Sequence, residues 1–210
     1  MMTGTLVVTG GIGSGKSLVC SYLSELGVPI YDSDSRTRQL YANDTSLLCR
    51  IEEALGTVVM DADGRFDRKR LAEAVFSDSA RLSALEAIVH PAVLADFETW
   101  RSGQRPGPGH NFNIVGFESA IILEKPLFRG IADWTLLVDA PIELRIARAV
   151  SRDNVPREAV LARMEHQKLL NDISEHRIQP PVDYVIVNDG DEDELRDKVH
   201  RLYSSLMEIM

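Results

Sequence analysis

Gly10, Gly15, Lys16 and Ser17 stand in the spacing G-x-x-x-x-G-K-[ST], and these residue types suit the holding of a polyphosphate. Glycines at positions 10, 11, 13 and 15 let the backbone take positive φ and come close to an anion. The freed N–H groups then form an anion nest, reinforced by the N-terminus of the helix that follows. Lys16 would reach the β- and γ-phosphates of a nucleotide, and the Ser17 hydroxyl would hold Mg2+. The flanks agree with this chemistry. Leu6, Val7 and Val8 read as a short buried strand, and Leu18, Val19, Tyr22, Leu23 and Leu26 follow at helical spacing. Strand, glycine loop and helix in that order separate a phosphate-binding loop from a glycine-rich turn.

Further candidates sit where other strands end. Val28 to Tyr31 is expected to form a second strand, closed by Asp32-Ser33-Asp34. In a parallel sheet ligands gather beyond the carboxyl ends of strands, so both carboxylates would face the phosphate loop. Alternatively, Ser33 or Asp34 caps a helix that starts near Ser35. Glu118 follows a third strand over 112–117, where phosphate-loop enzymes often keep an acid near Mg2+ and water, or else it is an N-cap neighbour of the following turn. Trp134 to Val138 reads as a fourth strand, with Pro141 as the first residue of the next helix. On that helix Arg145, Arg148 and Arg152 fall three and four residues apart on one face. Planar guanidinium forks suit a transferring phosphoryl group, whereas a solvated basic face is the plainer explanation.

These groups need a scaffold. From 35 to 103 the apolar spacing is helical, with no convincing strand. Pro91, directly after His90, is expected to interrupt or kink the helix begun by Leu82, Leu85, Ile88 and Val89. A His in that position is more often a packing residue than a ligand contact. Residues 103–110 read as a loop. A polar helical stretch from 157 to about 177, inserted before a fifth strand at 183–187, has the character of a nucleotide lid. The alternation of strands and helices predicts an α/β three-layer fold around a five-stranded parallel sheet. Within this single domain the core would be 1–34, 110–150 and 180–210, the helical insert about 35–109 and the lid about 151–179.

Composition narrows the function classes. The chain has 210 residues, 44% of them hydrophobic, enough to bury a sizeable core. A net charge of −9 argues against a surface that coats nucleic acid. No apolar run approaches the ~18 residues of a membrane span, and the N-terminus lacks the charged region of a signal peptide. Cys20 and Cys49 have no C-x-x-C spacing, so neither a zinc site nor a disulfide is indicated. The expectation is a cytoplasmic protein with small-molecule substrates and no evident protein partner.

The chain resembles the dephospho-coenzyme A kinases nearly end to end. Thr9 to Ser17 reads T-G-G-I-G-S-G-K-S, and Asp32-Ser33-Asp34 stands for the family's D-A-D. Asp63 to Arg68 fits D-G-x-h-x-R, where h is apolar, and His90-Pro91 matches a helix-ending H-P. Arg148 to Asp153 gives R-x-x-x-R-D, followed by Gln167, and Asp183 to Gly190 gives D-x-V-I-x-N-x-G. The resemblance implies a P-loop kinase fold and transfer of the γ-phosphoryl of ATP, with Mg2+, to the ribose 3′-hydroxyl of dephospho-coenzyme A. It implies ATP contacts at Gly11, Ile12, Gly13, Ser14, Gly15, Lys16, Ser17 and Leu18, with Asn188 near the adenine. Asp34 would accept the hydroxyl proton, Lys16 and Arg148 would neutralise the transferring phosphoryl, and Ser17 would hold the metal. Arg68, His90 and the helical insert are implied for the acceptor.

Two stretches depart from the family pattern. Leu18 stands where threonine is usual, and Glu118 to Glu124 replaces V-P-L-L-x-E while keeping its terminal acid at Glu124. Another small-molecule or nucleoside monophosphate kinase would share the loop and lid, and only the acceptor separates it. A GTPase-type switch needs N-K-x-D, which the chain lacks; Asp61 to Gly64 satisfies D-x-x-G only as a polar turn. A non-catalytic nucleotide binder would have no use for Asp34 together with the arginine face.

Overall fold

The computed structural model describes residues 3–76, 78–105, 113–128, 130–165, 167, 170, 172–173 and 182–209. Residues 106–110 of the expected loop, 112 of the expected third strand, and 166, 168–169, 171 and 174–179 of the expected lid lie outside them. Two compact units are formed, one from 1–31 with 104–210 and the other from 32–103.

The first unit carries the sheet. Its strands are β1 (Thr3–Thr9), β2 (Ile30–Asp32, whose last residue is assigned to the second unit), β3 (Asn113–Glu118), β4 (Trp134–Asp139) and β5 (Tyr184–Val187). They lie in the order β2-β3-β1-β4-β5, and β1 pairs in parallel with both β3 and β4, as β4 does with β5. β1 is central because it is apolar on both sides: Leu6 and Val8 are 0% exposed and Val7 is 1% exposed. One face of the sheet is covered by α1 (Lys16–Glu25) and the C-terminal helix (Glu192–Ile209), here α8 by chain order. Val19 and Leu23 from α1 meet Leu195, Val199 and Leu206 from α8 over Leu6, Val8, Leu136 and Val138. Cys20 is buried in the same cluster. α6 (Ile142–Asp153) and α7 (Arg157–Glu165) pack together through Ile146, Ala149, Val160 and Met164. Leu170 and Ile173 of the expected lid pack on Leu137 of β4.

The second unit is helical, with α2 (Ser33–Asn43), α3 (Thr45–Leu55), α4 (Arg68–Val75) and α5 (Ser79–Gly103). The Asp44 carboxylate caps α3 by accepting from the Leu47 N–H at 2.9 Å, and Gly56 ends it at φ 62°. A two-point ion pair joins α2 to α5: Arg36 Nε and Nη2 donate to Asp96 at 2.8 and 2.7 Å.

Three expectations are corrected. Of the interruption or kink expected at Pro91, the interruption is absent: α5 runs on as one helix, and Leu85, Val89, Val93 and Phe97 bury one stripe on both sides of it. Packing along that stripe outweighs the lost hydrogen bond and ring clash, which favour a break locally. Pro141 is the residue before α6, not its first helical residue. Finally, α2 starts at Ser33 and its cap is Asp32. Asp32 Oδ1 accepts from the N–H groups of Asp34 and Ser35 at 3.0 and 3.1 Å, and Oδ2 accepts from the Ser35 hydroxyl at 2.6 Å. Among the described residues no helix is long and apolar enough to cross a membrane.

Placing the cap at Asp32 yields a measurable contrast. Asp32→Ala should cost about 1 kcal/mol of stability, the usual worth of an N-cap. Asp34→Asn should cost only about 0.3 kcal/mol, because it removes a charge from the first turn and leaves the cap intact. Urea midpoints at unchanged slope read both values, and a larger loss at position 34 would return the cap to Asp34.

Candidate phosphate-binding site

β1 delivers the chain to the loop at Gly10, and α1 takes it up at Lys16. Gly13 and Gly15 hold φ of 76° and 97°, where a side chain would be strained. The Ser14 N–H donates to the Gly11 carbonyl at 3.1 Å, and the Leu18 and Val19 N–H groups donate to the Gly15 carbonyl at 3.0 and 3.1 Å. The loop thus turns tightly on itself and opens the N-terminus of α1 toward an anion.

Gly11 is needed for a different reason from the one its type suggests, since its φ is not positive. A Cβ there would lie 2.5 Å from Cζ of Arg145. Arg145 is 0% exposed, and its Nε donates to the Ile12 carbonyl at 3.1 Å. A Cβ on Gly13 would in turn lie 2.7 Å from the carbonyl carbon of Arg145. Arg145 is therefore neither a solvated basic residue nor a clamp reaching over the loop, and that part of the arginine-face reading is corrected. Helical spacing places it on a face, and only the long-range packing reveals that the phosphate loop lies on top. Burial pushes its pKa below the ordinary guanidinium value, and the nearby Asp139 carboxylate opposes that shift. It stays charged, so a fixed positive charge underlies the loop.

The functional groups of the loop converge on one acid. Ser17 Oγ donates to Glu118 Oε1 at 2.7 Å, and Lys16 Nζ stands 3.6 Å from the same oxygen. Glu118 reaches them because β3 pairs with β1 in register, Val8 opposite Glu118. On the other flank, Asn188 follows β5 and donates from Nδ2 to the Ser14 carbonyl at 2.8 Å. Gly15 leaves room for that amide, whose Cγ would be 3.4 Å from a Cβ at position 15. Arg148 secures Asn188 in turn, with Nη1 3.0 Å from its carbonyl oxygen and Nη2 3.5 Å from Oδ1. Arg152, four residues on, is paired with Asp153 at 2.7 Å, so the three arginines of one helix face meet three different surroundings. The structure thus gathers Gly11 to Ser17, Arg148 and Asn188 in one place and adds Glu118, Arg145 and Gln167.

Gln167 appeared in the sequence only as a family match, and its contact depends on packing that no local pattern encodes. Its Oε1 accepts from the Ile12 N–H at 2.9 Å. Leu18, the departure from threonine, is partly exposed on α1. Asp34, Arg68 and His90 belong to the second unit. Asp34 is exposed in the first turn of α2, Arg68 is exposed at the start of α4, and His90 is half-buried within α5. Glu124 ends a short 3-10 turn, Ile122–Glu124. Among the described residues no group of three or more His, Cys, Asp or Glu side chains forms a metal cage.

The packing under the loop sets how it responds to an added methyl group. Gly11→Ala presses on a buried guanidinium, and Gly13→Ala presses on the backbone of α6 and is also strained at φ 76°. Each should cost about 1–3 kcal/mol of overpacking and weaken ATP binding at least tenfold, with Gly13→Ala the worse. Titration of a fluorescent ATP analogue and thermal melting read the two effects. Wild-type affinity in both variants would show that the loop does not rest on Arg145.

The comparisons with known proteins fall on this geometry. The family model for dephospho-CoA kinase matches residues 5–194. A dephospho-CoA kinase of Salinibacter ruber is 34% identical over 199 residues, covering 95% of this chain and 96% of the relative. The enzyme of the same name from Chlorobaculum tepidum is 36% identical over 212 residues, covering 97% and 95%. A Thermus thermophilus protein of solved structure superposes with a TM-score of 0.78 at 32% identity, covering 98% of this chain and 99% of its own. With this match spanning the phosphate loop, the sheet and both helical segments, the chain belongs to the dephospho-CoA kinase family.

Proposed function

We propose that the protein transfers the γ-phosphoryl group of ATP to the 3′-hydroxyl of dephospho-coenzyme A, giving coenzyme A. The observation that carries this reading is the meeting of Lys16, Ser17 and Glu118 at a braced phosphate loop, in a chain of this family. The N–H groups of Gly13, Gly15, Lys16 and Ser17 take the β- and γ-phosphate oxygens, with the α1 terminus adding its dipole. Lys16 exchanges Glu118 for the phosphates and neutralises charge that spreads over the transferring group.

The donor set fits a magnesium ion. Ser17 Oγ and Glu118 Oε1 are hard oxygen donors 2.7 Å apart, and few protein ligands are needed where phosphate and water complete the shell. The ion would be held by Ser17 directly and by Glu118 at its side, and when bound it supplies charge neutralisation to the phosphates.

Arg148 has a double part in this reading. Its contact with Asn188 fixes the amide beside the loop, near where the adenine is expected. Its remaining N–H donors face the task of neutralising the phosphoryl group in transit. Asp34 accepts the proton of the acceptor hydroxyl; its carboxylate is not needed as the helix cap, which Asp32 supplies. Arg68 and His90 are assigned to the acceptor through the family motifs. The helical stretch 35–109 then serves acceptor binding and 151–179 serves as the lid. A cytoplasmic location suits such an enzyme.

The test is to incubate the protein with ATP, Mg2+ and dephospho-coenzyme A and to follow product mass, with adenylate, shikimate and nucleosides as rival acceptors. Coenzyme A should form and the rivals should stay unphosphorylated. Asp34→Asn should lower kcat by about 10²-fold, the low end for a general base, with ATP binding unchanged. Phosphorylation of a rival in preference to dephospho-coenzyme A would overturn the acceptor, and full turnover by Asp34→Asn would overturn the base.

A further inference from the structure

Ile12 is held at every group it has. Its N–H donates to Gln167 Oε1 at 2.9 Å, and its carbonyl accepts from Arg145 Nε at 3.1 Å. Its side chain packs on the cluster of Ile146 and Ala149 from α6 with Val160 and Met164 from α7. The partners lie 155 and 133 residues away in sequence, so the grip is tertiary and not a property of the loop. The amide orientation of Gln167 follows from chemistry, since only its oxygen can accept from an N–H. Gln167 is itself fixed: it is 8% exposed, and its own N–H donates to the Met164 carbonyl at 2.9 Å, continuing the turn that ends α7.

We propose that Gln167 is a positioning residue of the phosphate loop, which it holds in its anion-binding form by occupying the Ile12 N–H while Arg145 occupies the Ile12 carbonyl. The two contacts fix the backbone orientation on both sides of Ile12. The N–H groups of Gly13, Gly15, Lys16 and Ser17 then face the anion, while the Ser14 N–H closes the loop on the Gly11 carbonyl and the Ile12 N–H faces away. Without the Gln167 oxygen, a half-buried N–H has no acceptor and the loop gains a reason to turn that group elsewhere. Through the same contact Gln167 and the phosphate loop share one geometry.

For its nucleotide readout the inference rests on the kinase reading, whereas amide exchange at Ile12 needs neither ATP nor turnover. Residue-resolved hydrogen exchange on the nucleotide-free wild-type protein should find the Ile12 amide at least ~100-fold slower than in an open chain. Gln167→Met keeps the length and removes the acceptor; it should speed that exchange and raise KM for ATP, each about tenfold, with kcat and the acceptor KM within about twofold. Gln167→Glu restores an acceptor and should return Ile12 exchange toward the wild-type rate. Open-chain exchange of Ile12 in the wild type would overturn the proposal even if no variant folded. Unchanged Ile12 exchange and ATP KM in Gln167→Met would overturn it as well. A protein that makes no coenzyme A but shows the exchange pattern would sink the kinase reading and leave the grip on Ile12 standing.

Discussion

A charged guanidinium sealed beneath a glycine loop is the constraint on which the rest of this site depends. Arg145 takes the volume that a side chain at position 11 would need, and its backbone takes the volume next to position 13. The glycines are thus fixed by packing as well as by dihedral angles. Arginine suits this place better than lysine, because a planar fork can bond a carbonyl sideways while lying flat under a backbone. Burying the charge is costly, and the depressed pKa is the sign of that cost. The cost is offset in part by the Ile12 carbonyl and the Asp139 carboxylate.

From that base the remaining contacts form a chain outward. Ile12 is pinned, so the turn from Gly13 to Lys16 has one shape. Asn188 holds the Ser14 carbonyl from the far side, and Arg148 holds Asn188. The register of β3 on β1 carries Glu118 to Ser17 and Lys16. In the free protein Glu118 keeps the lysine and hydroxyl ordered in the positions where polyphosphate and metal would need them, which is preorganisation of the kind phosphoryl transfer relies on.

Much of this was legible in the residues, and the rest fails for identifiable reasons. β1, the loop and α1 could be read because glycine spacing, a β-branched run and helical periodicity are all local signals. The second strand and its acids were also legible, but a cap at Ser33 or Asp34 places the helix start near Ser35, two residues late; local chemistry does not fix that start, and the cap is Asp32. The helix through Pro91 defeats a local rule because the buried stripe of Leu85, Val89, Val93 and Phe97 comes from tertiary packing. Arg145, Arg148 and Arg152 look alike at their spacing; what lies against each is set by the loop, by Asn188 and by Asp153. Gln167 carries no periodic signal at all, and its partner is 155 residues away.

Preorganisation of the loop for phosphate, ahead of any contact with the base, is tested most directly by competition. A fluorescent ATP analogue bound to the protein with Mg2+ is challenged separately with inorganic tripolyphosphate and with adenosine at equal concentrations. A loop braced for anions predicts displacement by tripolyphosphate and little by adenosine. Displacement by adenosine with none by tripolyphosphate would contradict it.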